Sequence, residues 1–150
     1  MANQVYVRRD TRSWIVQVWV SFILSVLLCA YGVLNLPLEG IFRVFLATGL
    51  FFTLFSCFVL AKSIRDNQNE KIDTPMWRLQ VWVGFVISVC LTVWGIFTMN
   101  MEAWQLGYMA ASGLFLISST FTLSKTIRDN YDADILEQSG AANDVPFREK

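Results

Sequence analysis

Four long uncharged runs dominate the chain, at residues 14–38, 44–61, 79–101 and 103–124, and every charge lies between or beyond them. Each run is close to the ~20 residues that a helix needs to cross ~30 Å of hydrocarbon. The pattern predicts four membrane-spanning helices. The first pair is joined by Leu36-Pro37-Leu38-Glu39-Gly40, a tight turn in which proline cannot continue the helix and glycine permits an open backbone. The second pair turns as sharply around Asn100-Met101-Glu102. Connections this short make antiparallel neighbours, so each pair is expected to be a hairpin.

The two hairpins are copies. Residues 14–67 realign on 77–130 without a gap, with about two in five positions identical. Trp14, Gln17, Trp19, Phe22, Ser25, Gly32, Glu39 and Ala47 recur as Trp77, Gln80, Trp82, Phe85, Ser88, Gly95, Glu102 and Ala110. Each copy closes on one phrase, Lys62-Ser63-Ile64-Arg65-Asp66-Asn67 and Lys125-Thr126-Ile127-Arg128-Asp129-Asn130. Both copies enter the membrane from one side. The expected fold is therefore an all-α integral membrane protein, with four transmembrane helices as two tandem parallel-repeat hairpins about a pseudo-twofold along the membrane normal. The organisation reads as an N-terminal segment 1–13, repeat 14–67, linker 68–76, repeat 77–130 and polar tail 131–150. The tail is expected to extend the last span by one short helical piece and then to be disordered.

Lysine and arginine set the direction. Arg8, Arg9 and Arg12 precede the first span, Lys62, Arg65, Lys71 and Arg78 lie between the hairpins, and Lys125, Arg128, Arg148 and Lys150 follow the last. The two short turns carry only Arg43. The positive-inside rule places both termini and the linker in the cytoplasm. The first run is too long for a signal peptide, the bulky Leu28 before Cys29 argues against lipoprotein processing, and Arg8-Arg9 lacks the context of a twin-arginine signal.

Composition narrows the chemistry. The chain is 55% hydrophobic and 16% charged, with six tryptophans and twelve phenylalanines, more apolar surface than a small soluble domain could hide. Its formal net charge of zero gives no field for nucleic acid. It has no histidine, which removes the commonest general base and metal ligand. Cys29, Cys57 and Cys90 sit apart in apolar runs and read as reduced small residues. No deep charge suggests a proton relay, and no phosphate loop or nucleophile motif appears. No enzyme activity, cofactor or metal is expected.

Several residues remain for packing or contact. Gln17 and Gln80 are expected to meet across the pseudo-twofold, and Ser21/Ser25, Gly84/Ser88 and Gly107/Ala111 have small-xxx-small spacing for close helix approach. Gly32 and Gly95 suit a kink or close packing, and Glu39 and Glu102 stay hydrated at the turns. In the closing phrases, Lys62 with Asp66 and Lys125 with Asp129 are spaced for i,i+4 pairing. Asn67 and Asn130 suit left-handed caps, while the cations can meet anionic lipid head groups. The repetition of the acid and the asparagine makes Lys62, Arg65, Asp66, Asn67, Lys125, Arg128, Asp129 and Asn130 a candidate partner-docking surface.

Taken together, the tandem hairpins, Gly32 and Gly95, the acidic turns at Glu39 and Glu102, and above all Lys125-Thr126-Ile127-Arg128-Asp129 resemble the YiaAB family of small bacterial inner-membrane proteins. The resemblance spans 14–130. Ser63 departs from it mildly, Thr98 replaces an asparagine that is kept at Asn35, and the family's acidic-Lys-Gly turn is missing. It implies a multi-pass inner-membrane protein and brings no catalytic residues. The leading expectation is a non-enzymatic protein, a homo-oligomer or an accessory subunit of a larger membrane complex. The alternative is a small transporter or channel at an oligomer interface, with Gln17, Gln80 and Ser25 lining a cavity.

Overall fold

The structure, a computed structural model, describes residues 10–68 and 74–143. Parts of the N-terminal segment, the linker and the tail, including Arg8, Arg9, Lys71, Arg148 and Lys150, lie outside the described residues. Four helices follow one another: α1 (Arg12–Asn35), α2 (Gly40–Gln68), α3 (Pro75–Thr98) and α4 (Ala103–Asn143). All four are long and apolar enough to span a membrane. At 24 residues, α1 and α3 are each about 36 Å long.

Local chemistry fixes the ends in duplicate. Thr11 caps α1 by accepting from the Trp14 N–H at 3.3 Å, and Thr74 caps α3 through Trp77 at 3.4 Å. Pro75 occupies the first turn, where its missing N–H costs nothing. At the other end the Leu36 N–H bonds the Gly32 carbonyl at 3.0 Å, and Met99 bonds Gly95 at 3.2 Å. Tight turns from Leu38 to Leu36 and from Met101 to Met99, both 2.8 Å, then reverse the chain. α2 and α4 outrun their uncharged runs, whereas α1 and α3 begin before theirs and stop three residues short of their ends, because caps and breakers rather than the first charge end a helix. The last helix departs most from expectation. Asp132, Asp134 and Glu137 continue it without a break, so most of the tail is helical through Asn143. Asn130 is consequently no left-handed cap; it sits within α4 and donates to the Thr126 carbonyl at 2.9 Å. Asn67 is likewise inside the last turn of α2, and its side chain lies outside the described residues.

The pairing of helices differs from that of two self-contained hairpins. The extensive contacts are α1 along α4 and α2 along α3, with α2 against α4 between them. The two helices of one repeat touch far less, and α1 and α3 do not touch. Each repeat therefore lays its first helix on the second helix of the other. The reason lies in the side chains that face inward. Gly32 on α1 receives Met109 and Tyr108 of α4 so closely that a Cβ would stand 2.6 Å and 2.9 Å from them. Gly95 on α3 receives the Phe45 ring of α2 in the same way. Phe45 and Tyr108 are themselves equivalent positions of the two copies. Removing a Cβ lets an aromatic ring seat against a helix backbone, the main device for association where no hydrophobic effect operates between helices.

The interior is layered. Towards the turns it is apolar, with Cys29, Val33, Leu36, Leu46, Leu50, Ile96, Met99, Met109 and Leu116 in one cluster. Below that comes a hydroxyl layer. Ser25 and Ser119 share a hydrogen bond of 2.7 Å, and Ser88 and Ser56 share one of 2.8 Å. Thr53 adds one to Thr92 at 3.1 Å. Lipid offers no competing water, so each hydroxyl finds its partner inside.

Candidate functional site

At the end of the bundle that carries the termini, the repeated closing phrases face each other. α2 presents Arg65 and Asp66, and α4 presents Arg128 and Asp129, at equivalent positions. The Arg128 guanidinium donates to the Asp66 carboxylate at 2.6 Å, and Arg65 donates to Asp129. The ion pairs are thus exchanged between repeats. They are not the i,i+4 pairs expected with Lys62 and Lys125, because the arginine fork reaches a facing helix in a geometry that a lysine on the same helix does not match. Arg65 goes further than its mate. Its Nη1 donates to the Lys125 carbonyl at 3.0 Å, and Nη2 lies 3.7 Å from Asp132. These side chains are 16–35% exposed, except Asp132 at 47%, so the pairs sit at a margin between water and the packed interior.

Other positions of the phrase are also engaged. Thr126 is buried and accepts from the indole Nε1 of Trp14 at 3.3 Å, tying α1 to α4 at this level. Ser63, its counterpart, is buried as well. Lys62 and Lys125 are exposed. Arg65, Lys125 and Asp129 line a groove with Ala61, Ile64 and Phe121. Chemically the arrangement neutralises two arginines on three carboxylates and leaves the lysines facing outward.

The packing candidates divide. Ser25 and Ser88 are fully buried in the hydroxyl layer. Ser21 is half-buried and donates to the Gln17 carbonyl at 2.8 Å. Gln17 and Gln80 do not meet, since they are exposed on α1 and α3, two helices with no mutual contact. Gln17 lines a cleft of about 180 Å³ with Ser21, Ser118 and Thr122; Gln80 and Ser25 are not part of it. Gly84 would accept a Cβ with nothing near it. Gly107 and Ala111 are exposed and make no seam within the chain. Residues that sequence reasoning passed over are Ser56 and Ser119, the partners of Ser88 and Ser25. Their identity in the two copies was the available signal.

Four apolar helices in two interlocked copies, joined by exchanged arginine–aspartate pairs, define a duplicated two-helix membrane protein. Residues 14–66 and 77–129 each match the model of the yiaA/B two helix domain, and the chain belongs to that family, YiaAB. No curated protein and no solved structure matches it.

Proposed function

We propose that this protein is a non-enzymatic inner-membrane protein that assembles with copies of itself, as a structural or accessory module, through the outward face of α4. The observation that carries the reading is an asymmetry between repeats. Gly107, Ala111, Ser118 and Thr122 fall on one face of α4, and the first three are exposed. The equivalent positions on α2 are Val44, Thr48, Phe55 and Val59, a bulkier and more lipid-like set. Exposed Gln17 stands beside the α4 face, with Ser21 and Thr122 in the same cleft. Small residues allow a second backbone to approach closely, and an amide or hydroxyl in lipid gains from a partner helix, at ~1 kcal/mol or less each. The closing phrases serve this reading by holding the repeats in register, while Lys62 and Lys125 meet anionic head groups. Both termini are assigned to the cytoplasm on the distribution of Lys and Arg.

Cysteine cross-linking in membranes tests the proposal. In a background with the native cysteines replaced, Ala111→Cys is expected to form a disulfide-linked dimer on oxidation, and Thr48→Cys, its counterpart on α2, is not. Equal cross-linking of the two, or none at Ala111→Cys, contradicts assembly through α4.

A further inference from the structure

Because each first helix packs on the other repeat, the helices of one repeat leave an apolar cleft between them, and this happens twice. Val26, Ala30 and Val33 of α1 face Ala47, Phe51 and Leu54 of α2 across a cleft of about 320 Å³. The equivalent residues of α3 and α4, Val89 and Ile117 among them, line the other. Both clefts open sideways between spans, where lipid is the solvent. An apolar gap there forfeits dispersion contacts unless something of chain-like shape enters it.

The mouths of the clefts differ in charge. Arg43 precedes Ala47 by four residues and Leu50 by seven, so it stands on the cleft-facing side of α2. Its Nη2 donates to the Leu36 carbonyl at 3.5 Å, at the end of α1, which puts the guanidinium between the two helices where the cleft begins and leaves Nη1 without a hydrogen-bond partner among the described residues. Its Nε is buried and has no hydrogen-bond partner. Among the described residues Arg43 takes part in no ion pair, although Glu39 is one turn away. It is also the one cation that the described residues place near the turns. At the equivalent position the second repeat has Leu106.

A half-buried guanidinium with uncommitted donors suits a phosphate, which its planar fork matches in geometry and charge. An apolar cleft directly below it suits an acyl chain. We propose that the α1/α2 cleft binds one anionic phospholipid, with the head-group phosphate on Arg43 and an acyl chain between Ala30, Val33, Ala47 and Phe51. The α3/α4 cleft, with Leu106 rather than an arginine at the equivalent position, holds no such lipid specifically.

The test is native mass spectrometry of the detergent-solubilised full chain, titrated with phosphatidylglycerol or with phosphatidylcholine of the same acyl chains. Retention of one phosphatidylglycerol per chain is expected, about fivefold above phosphatidylcholine, the preference that one interfacial cation confers. Arg43→Gln should remove that preference. Ala47→Phe, which obstructs the cleft and leaves Arg43 in place, should reduce retention as much, and Ala110→Phe in the other cleft should not. Unchanged retention in both Arg43→Gln and Ala47→Phe overturns the site. So does equal retention of the two lipids, or displacement of the bound lipid by millimolar inorganic phosphate.

Discussion

Arg128 of the second repeat holds Asp66 of the first at 2.6 Å, and the symmetry-equivalent bond runs the other way, from Arg65 to Asp129. The most conspicuous repeated phrase in the sequence thus joins the repeats to each other. If these pairs act as a clasp, Asp66→Asn and Arg128→Gln should each lower stability in detergent by about 1 kcal/mol, the scale for incompletely buried ion pairs. The double substitution should cost less than the sum of the two. Strict additivity in a double-mutant cycle, read from thermal unfolding, would mean that the residues do not interact.

Glycines separate close packing from chance. A Cβ at Gly95 would collide with the Phe45 ring, and one at Gly84 would meet nothing. Gly95→Ala should therefore destabilise by about 1–3 kcal/mol through overpacking. Gly84→Ala should be neutral or stabilising by up to about 1 kcal/mol, from helix propensity alone. Thermal melts of the two variants in the same detergent make the comparison.

The hydroxyl layer should tolerate loss of a bond better than added bulk. Ser25 is completely buried, and Ser119 has a second acceptor in the Leu116 carbonyl at 3.0 Å, so Ser25→Ala orphans nothing. A cost of about 0.6 kcal/mol is expected, the average for hydrogen bonds between membrane helices. Ser25→Leu should cost at least about 1 kcal/mol more, because a branched side chain about two heavy atoms larger has nowhere to go. Denaturation of both variants in mixed micelles distinguishes these magnitudes.

Interlocked pairing also predicts a covalent link. Cys29 of α1 is buried next to Leu28, whose carbonyl accepts from the Tyr108 hydroxyl of α4 at 2.7 Å, and buried Ser112 lies one turn further along α4. Ser112→Cys should form a disulfide with it on oxidation. With a protease site placed in the linker, the two halves of the oxidised variant should stay joined after cleavage and separate on reduction. Separation without reduction would show that α1 does not lie on α4.

The four spans, the turns and the duplication were legible in the sequence, because lipid exposure demands long apolar runs and a copied segment repeats its landmarks. Neighbours were not. Hydropathy tells which residues meet lipid or protein, and it is silent on which helix lies alongside. Asp66 has a lysine one turn behind it and an arginine on a facing helix, and only the fold decides between them. Gly107 and Ala111 have the same small-residue spacing as Ser21 and Ser25, yet they point out of the bundle while Ser25 points in. The Ser56 and Ser119 partners were visible as identical positions, but a serine in a membrane helix can bond its own preceding turn, so identity alone did not reveal a contact.

Self-assembly through α4 is the claim on which the proposed function rests, and mass measures it most directly. Particles released from native membranes with their lipid, and weighed by native mass spectrometry, should give a whole multiple of the 17.2 kDa chain greater than one. Gly107→Leu should reduce them to single chains. A wild-type protein that is a single chain in its own lipid, or an assembly that Gly107→Leu leaves intact, would contradict the account.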